Sequence, residues 1–381
     1  MVEELTVNSE SFKLNRYPLR NNDPLRAWDA ADEYLLQHLV DNTILTSDTQ
    51  ILIVNDSFGA LTVPLSAHSA QIYTDSYISE YSIEQNLRKN SRPEQLAAFI
   101  HSTEQLKVNY DVVIIKVPKN QALLEHQLHK IKDHITTRTI VVAAGMVKTI
   151  HRSTLQLFES IIGPTTTSLA QKKSRLIFSQ VDTTLNNGTT PYPKRYELPE
   201  YNITVVNHAN VFSRLKLDIG TRFFLQNLPR NIQKKDVIDL GCGNGLLGVI
   251  YARNNPGSRL TFIDESYMAV ASAKINYENG LENLADKGEA QFLVGDCLTG
   301  VAENSTDLIL NNPPFHQNTA VGDQIAWQMF NESKRVLRSG AELWVIGNRH
   351  LGYHTKLKRL FGNCETIASN QKFVLLKTRK R

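Results

Sequence analysis

Cysteine is scarce in this chain. Cys242, Cys297 and Cys364 are the only three in 381 residues. They lie far apart and form no C-x-x-C pair, which excludes a disulfide framework and a zinc site of recognisable spacing. Long apolar runs are missing too. Nowhere do 18 apolar residues follow one another, so no spanning helix is expected. The opening MVEELTVNSESFKLNR holds no apolar segment of the secretory kind, so the expected location is the cytoplasm, a reducing compartment. Charge of one sign is not in large excess: 42 basic against 38 acidic residues leave +4, a mild bias that permits a polyanionic partner without demanding one. Basic residues gather at the C-terminus, in KTRKR (377–381), and at Lys356, Lys358 and Arg359; taken alone, each cluster reads as a solvated face.

What is present is ordinary globular material. Apolar content of 41% with 21% charged residues excludes wholesale disorder. At roughly 150 residues per domain the length predicts two. The second half alternates strands and helices: KDVIDL (235–240), a glycine loop, a helix through LLGVIYARNN, RLTFIDE, a helix over SYMAVASAKINYEN, AQFLVGDC, TDLILNN, a helix ending at Gly340, and AELWVIGN. This rhythm predicts βαβ units in a doubly wound, mostly parallel sheet.

The first half repeats that order in faded form. TQILIVNDSFGAL (49–61) stands where the first strand and glycine loop stand. IYTDSYISEYSIEQNLRKN (72–90) resembles TFIDESYMAVASAKINYEN (261–279), setting Ser76, Tyr77 and Asn86 against Ser266, Tyr267 and Asn276. YDVVIIKVPK (110–119) matches TDLILNNPPF (306–315), so Lys116 falls on Asn312 and Lys119 on Phe315. TIVVAAGMVKTIHRSTLQLF (139–158) resembles AELWVIGNRHLGYHTKLKRLF (341–361), and a tandem duplication whose first copy lost its chemistry accounts for four matches in one order. The two lysines would suit a polyanionic partner for the first copy. The turn formers and prolines of 181–200 predict the linker.

Two readings of VIDLGCGNGLLG (237–248) stay open at this point. Gly243-x-Gly245-x-x-Gly248 with Asp264 downstream satisfies the dinucleotide fingerprint, which would mean hydride transfer. The crowded Asp-Leu-Gly-Cys-Gly-Asn-Gly run instead resembles the first motif of class I S-adenosylmethionine-dependent methyltransferases. That resemblance implies that Gly241 and Gly243 pass under S-adenosyl-L-methionine, with Asn244 and Gly245 completing the loop, and that Asp239 positions the loop and the methionine ammonium end. It further implies that Asp264 accepts from the ribose hydroxyls and Asp296 from the adenine amine. Each Asp alone also reads as a helix N-cap after a strand.

Asn312-Pro313-Pro314-Phe315 separates the readings. The lone pair of an amine on a planar ring is delocalised, so methylating it requires acceptors that hold its hydrogens out of plane. The Asn312 side-chain oxygen and the Pro313 carbonyl supply two. Pro313 and Pro314 stiffen the turn, and Phe315 offers a face on which a flipped base stacks, worth about 1–3 kcal/mol. Hydride transfer has no use for this loop.

With both motifs in view, the chain resembles the RsmC/RlmG family of ribosomal RNA guanine methyltransferases over its full length. PLRAWDAADEYLL, NHANVFSRLKLDIGTRFF, DLGCGNG, NNPPFHQ and NRHLGYHTKLKRLFGNC point within it to the large-subunit members. The resemblance implies two tandem class I (Rossmann-like) domains: a degenerate, RNA-recognising one at 1–190 and a catalytic one at 191–381. It implies methylation of a guanine 2-amino group in 23S rRNA, with ribosomal RNA as the partner and neither a membrane nor an obligate protein partner. It also implies a lid over the cofactor carrying Phe212, Asp218, Gly220 and Thr221; without it Phe212 reads as core. His316, Arg349 and His350 follow strand ends and are weaker candidates for touching RNA. The alternatives are the equivalent 16S guanine, a protein-glutamine or DNA-adenine methyltransferase, and a ribosome-assembly factor with a vestigial site.

Overall fold

The computed structural model describes residues 4–19, 25–68, 70–186, 188–230, 236–282, 284, 286–314 and 320–381, with only the backbone of Leu96 and of 320–323. The chain forms two compact units, Met1–Pro191 and Tyr192–Arg381.

In the second unit a seven-stranded sheet runs in the spatial order Ala290–Val294, Arg259–Asp264, Asp236–Leu240, Thr306–Asn311, Leu337–Asn348, Phe373–Arg379, Glu365–Ser369. The first five are parallel, and Phe373–Arg379 is antiparallel to both of its neighbours. The apolar runs expected of a doubly covered sheet are buried on both faces. Leu246, Val249, Ala273 and Tyr277 from two helices pack with Phe262 and Leu310 on one side. Ala326, Phe330, Leu357 and Phe361 pack with Ile238 and Ile309 on the other.

The first unit repeats this plan strand for strand: Ala98–His101, Ala70–Thr74, Ile51–Val54, Val112–Lys116, Ile140–Met146, Ser174–Ser179, Thr165–Thr167, with the same directions. Small details repeat as well. Ser76 and Ser266 cap equivalent helices, each accepting a backbone amide three residues on at 3.1 Å. Asn86 exchanges hydrogen bonds with the backbone N–H and C=O of Asn15 and donates to Phe58 O at 2.8 Å. Asn276 does the same with Val206 and donates to Asn244 O at 2.9 Å. Register also aligns the strands: Ile53 lies opposite Ile72 and Ile114, as Asp239 lies opposite Phe262 and Leu310. Counting on from these pairs puts Thr74 at the place of Asp264 and Lys116 at the place of Asn312.

Two sequence expectations are corrected. The helix expected to reach Gly340 ends at Val336, and the strand begins at once at Leu337. Leu337 pairs with Thr306 ahead of a register shift, Arg338 bonds to Asp236 and Asp307, and Gly340 takes a φ of +78°. Ladder and ion pairs therefore override local helix propensity there. The linker expected over 181–200 is also shorter, because Lys194–Leu198 pairs antiparallel with Ile203–Asn207 inside the second unit.

Candidate active site

The strand order reverses between Asp236–Leu240 and its two neighbours, and in open α/β sheets ligands bind at the carboxyl ends beside such a switch point. Asp239 sits there, 1% exposed, and accepts the Gly248 amide at 2.8 Å. Burial, with Asp264 adding and the Gly248 amide opposing, pushes its carboxyl up to about 8. Gly248 must lack a side chain, since a Cβ would stand 2.3 Å from the Phe262 ring.

The loop that follows is fixed from several sides. Gly241 N and Cys242 N both donate to Ile263 O, at 2.8 and 3.0 Å. Asn244 O receives the Asn276 amide, and Gly245 starts the helix. At Gly243 φ is +54°, and a Cβ built there meets nothing within 4 Å. The space in front of the loop is open. Asp264 binds the loop to its own strand end, taking Gly243 N at 2.9 Å on one oxygen and Ser266 N at 3.0 Å on the other. Asp296, 6% exposed, holds the Gln328 amide across both oxygens at 3.2 and 3.1 Å. Gln328 is steadied in turn by Glu332, which also takes Leu298 N at 2.7 Å.

Asn312 follows the fourth strand. Its Nδ2 donates to Thr221 Oγ1 at 3.1 Å, whereas its Oδ1 is buried and has no partner among the described residues. A buried acceptor left unmatched costs about 1–3 kcal/mol. Asn311 is fully buried and ties this strand to Leu240 O at 3.0 Å. Pro313 is buried and Pro314 half-buried; Phe315 and His316 lie outside the described residues.

From the expected lid, Asp218 caps helix Ile219–Gln226 by accepting Thr221 N at 2.9 Å, and Gly220 is buried. Phe212 is 72% exposed, which overturns the reading of it as core. Arg349 and His350 are exposed in the turn after their strand. Sequence reasoning gave no role to Gln328 or Asn311, and used Asn276 only as a mark of duplication. Its recurrence as Asn86 was the signal available.

Among the described residues of the first unit, neither the Asp239 and Asp264 carboxylates nor the Asn312 amide recur at their equivalent places. Ile53, Thr74 and Lys116 stand at the places of Asp239, Asp264 and Asn312. The backbone amides of the turns after Ile51–Val54 are taken by Asp56, which accepts from Gly59, Ala60, Leu61 and Thr62 at 2.8–3.1 Å. Lys116 is 18% exposed, with Nζ 2.7 Å from Asp29 and 2.5 Å from Asp32. The expectation that Lys116 serves a polyanionic partner is therefore corrected, since two internal carboxylates use its charge. Lys119 is exposed.

Comparison with known proteins decides the family. Residues 2–183 match the RLMG N-terminal domain and residues 202–377 the methyltransferase small domain. Ribosomal RNA large subunit methyltransferase G of Aeromonas salmonicida is 50% identical, with 97% of each chain covered. Its namesake from Streptomyces griseus is 47% identical, with 100% of each covered. The chain belongs to the ribosomal RNA large subunit methyltransferase G family. Its fold is that of the 16S rRNA N2 methyltransferase RsmC of T. Thermophilus, solved with AdoMet and Guanosine: TM-score 0.75 at 20% identity, covering 100% of this chain and 98% of the other. The residues present fit S-adenosylmethionine: open space before Gly243 and carboxylates at successive strand ends. Among the described residues no helix is long and apolar enough to cross a membrane.

Proposed function

We propose that this chain transfers a methyl group from S-adenosylmethionine to the exocyclic 2-amino group of a guanine in large-subunit ribosomal RNA, in the cytoplasm. The observation that carries the reading is the buried, unmatched Oδ1 of Asn312 at the end of the fourth strand. Bound S-adenosylmethionine supplies an electrophilic methyl group. Asp264, Asp296 and the Gly241–Gly245 loop would hold it, with Asp239 keeping the loop in shape through the Gly248 amide.

The chain's own contribution is to make the amine available. Asn312 Oδ1 accepts one amine hydrogen and the Pro313 carbonyl the other, drawing the nitrogen lone pair out of conjugation. Pro313 and Pro314 stiffen the turn before substrate arrives, and Phe315 stacks on the base. Methylation acidifies the nitrogen, so its proton leaves to water without a strong base. Rate comes from alignment rather than from acid–base catalysis.

The first unit takes the part of RNA recognition. A single guanine in a pocket offers too little surface to select one site in ribosomal RNA, so phosphate and shape contacts elsewhere must contribute. The test is to incubate the chain with radiolabelled S-adenosylmethionine and 23S or 16S rRNA, then digest to nucleosides. Label in 2-methylguanosine from 23S rRNA supports the reading. Label only in 16S rRNA, or in another nucleoside, overturns it.

A further inference from the structure

Asn312 can serve a target amine only if its oxygen, and not its NH2, is presented. Both orientations fill the same space, so something must choose between them. The choice is made outside the strand that carries Asn312, at the N-terminus of helix Ile219–Gln226.

Thr221 Oγ1 lies 3.1 Å from Asn312 Nδ2 and 3.4 Å from Asp218 Oδ2. A carboxylate only accepts. At 3.4 Å the second leg is long for a hydrogen bond, so its effect is electrostatic: the negative charge turns the hydroxyl hydrogen toward Asp218. The lone pairs of Oγ1 then face Asn312, where only an N–H donor is favourable. Flipping the amide would set two acceptors against each other and present NH2 to an incoming amine, donor against donor. Asp218 itself is held, because it caps the helix through Thr221 N at 2.9 Å.

The first unit supports this from an independent direction. Asp29 caps helix Ala30–Asp41 as Asp218 caps its own, Asp32 stands three residues on as Thr221 does, and Lys116 stands at the place of Asn312. The same contact between helix start and strand end survives there as an ion pair. Where the contact is charged, the strand-end residue has no acceptor to offer; where it is a hydroxyl relay, one acceptor remains. We propose that Thr221, polarised by Asp218, is a positioning residue that fixes the amide orientation of Asn312 and so admits an amine as the methyl acceptor. The proposal rests on the methyltransfer reading above.

The test compares Thr221→Val and Thr221→Ser with wild type in steady-state methylation of rRNA, alongside S-adenosylmethionine affinity by calorimetry and melting temperature. Losing one oriented hydrogen bond at a buried site predicts a kcat about 5- to 150-fold lower for Thr221→Val. Cofactor Kd should change far less than kcat, which separates this role from the lid contact expected of Thr221, and melting temperature should be little changed. Thr221→Ser, which keeps the hydroxyl, restores most of kcat. If Val disturbs the helix start and lowers the melting temperature, Thr221→Ala carries the same comparison. Wild-type kcat in the Val or Ala variant, no rescue by Ser, or a cofactor affinity that falls in step with kcat overturns the proposal. A wild-type chain that makes no 2-methylguanosine overturns the methyltransfer reading instead.

Discussion

Replacing Lys116 with methionine tests the ion pairs at the end of the fourth strand of the first unit. The side chain keeps its length and loses its charge beside Asp32, whose side chain is 8% exposed, and Asp29, whose side chain is 44% exposed. Breaking a buried ion pair from one side costs about 3–5 kcal/mol. The exposed Asp29 adds little, since solvent screens it. Protonating Asp32 relieves part of this: with a folded value of about 6, the cost at pH 7.5 is capped at about 2 kcal/mol, so the surrounding structure opens up to about 30-fold more often.

The cost depends on pH. Burial, aided by Asp29 and opposed by Lys116, pushes the Asp32 carboxyl from the ordinary 3.8 up to about 6. A carboxyl raised on folding contributes stability that is full below the unfolded value and is lost as pH rises through the folded one. Without Lys116 the folded value rises further, so the loss extends to higher pH. The penalty of Lys116→Met should therefore be large at pH 7.5 and small at pH 5, where Asp32 is mostly neutral in both proteins. Amide hydrogen exchange of the full chain reads this locally, in peptides from Ala30–Asp41, with Ile219–Gln226 as the control. Unchanged protection at pH 7.5, or an equal loss at pH 5, would refute the reasoning.

Asp264→Ala should weaken S-adenosylmethionine binding, because Asp264 holds the Gly243 amide as well as facing the cofactor; calorimetry showing wild-type affinity contradicts this. Asn312→Ala should lose methyl transfer by about 10²-fold or more, since oriented donors and acceptors at reacting groups carry that much, while cofactor affinity holds. Equal loss of affinity in both variants would sink the division of labour. The same titration should find one cofactor per chain, given how Asp56 and Lys116 occupy the first unit. Asp239, raised to about 8 by burial, should make the cofactor-free protein lose stability between about pH 4 and 8. Asp239→Asn should flatten that part of the pH–melting curve and still accept the Gly248 amide; an unchanged slope would show that Asp239 is not the group responsible.

Much of the site was legible in the order of residues because its chemistry is local. The glycine loop, the carboxylates at strand ends and Asn312-Pro313-Pro314 each follow a strand whose apolar run marks where it stops. The duplication was legible for the same reason, as strand and helix patterns recur in one order. Local propensity failed where a ladder or an ion pair settled the backbone, at Leu337–Gly340 and at Lys194–Leu198. It also said nothing about Lys116, whose carboxylate partner Asp29 lies 87 positions earlier. Sequence by itself determined the fold class, the family and the kind of reaction, because periodicity and short motifs encode them. Only the tertiary structure decided that Lys116 is spent internally and that the Asn312 amide meets Thr221. Both outcomes depend on a helix start meeting a distant strand end, and hydrogen-bond polarity exists only once those groups are brought within bonding distance.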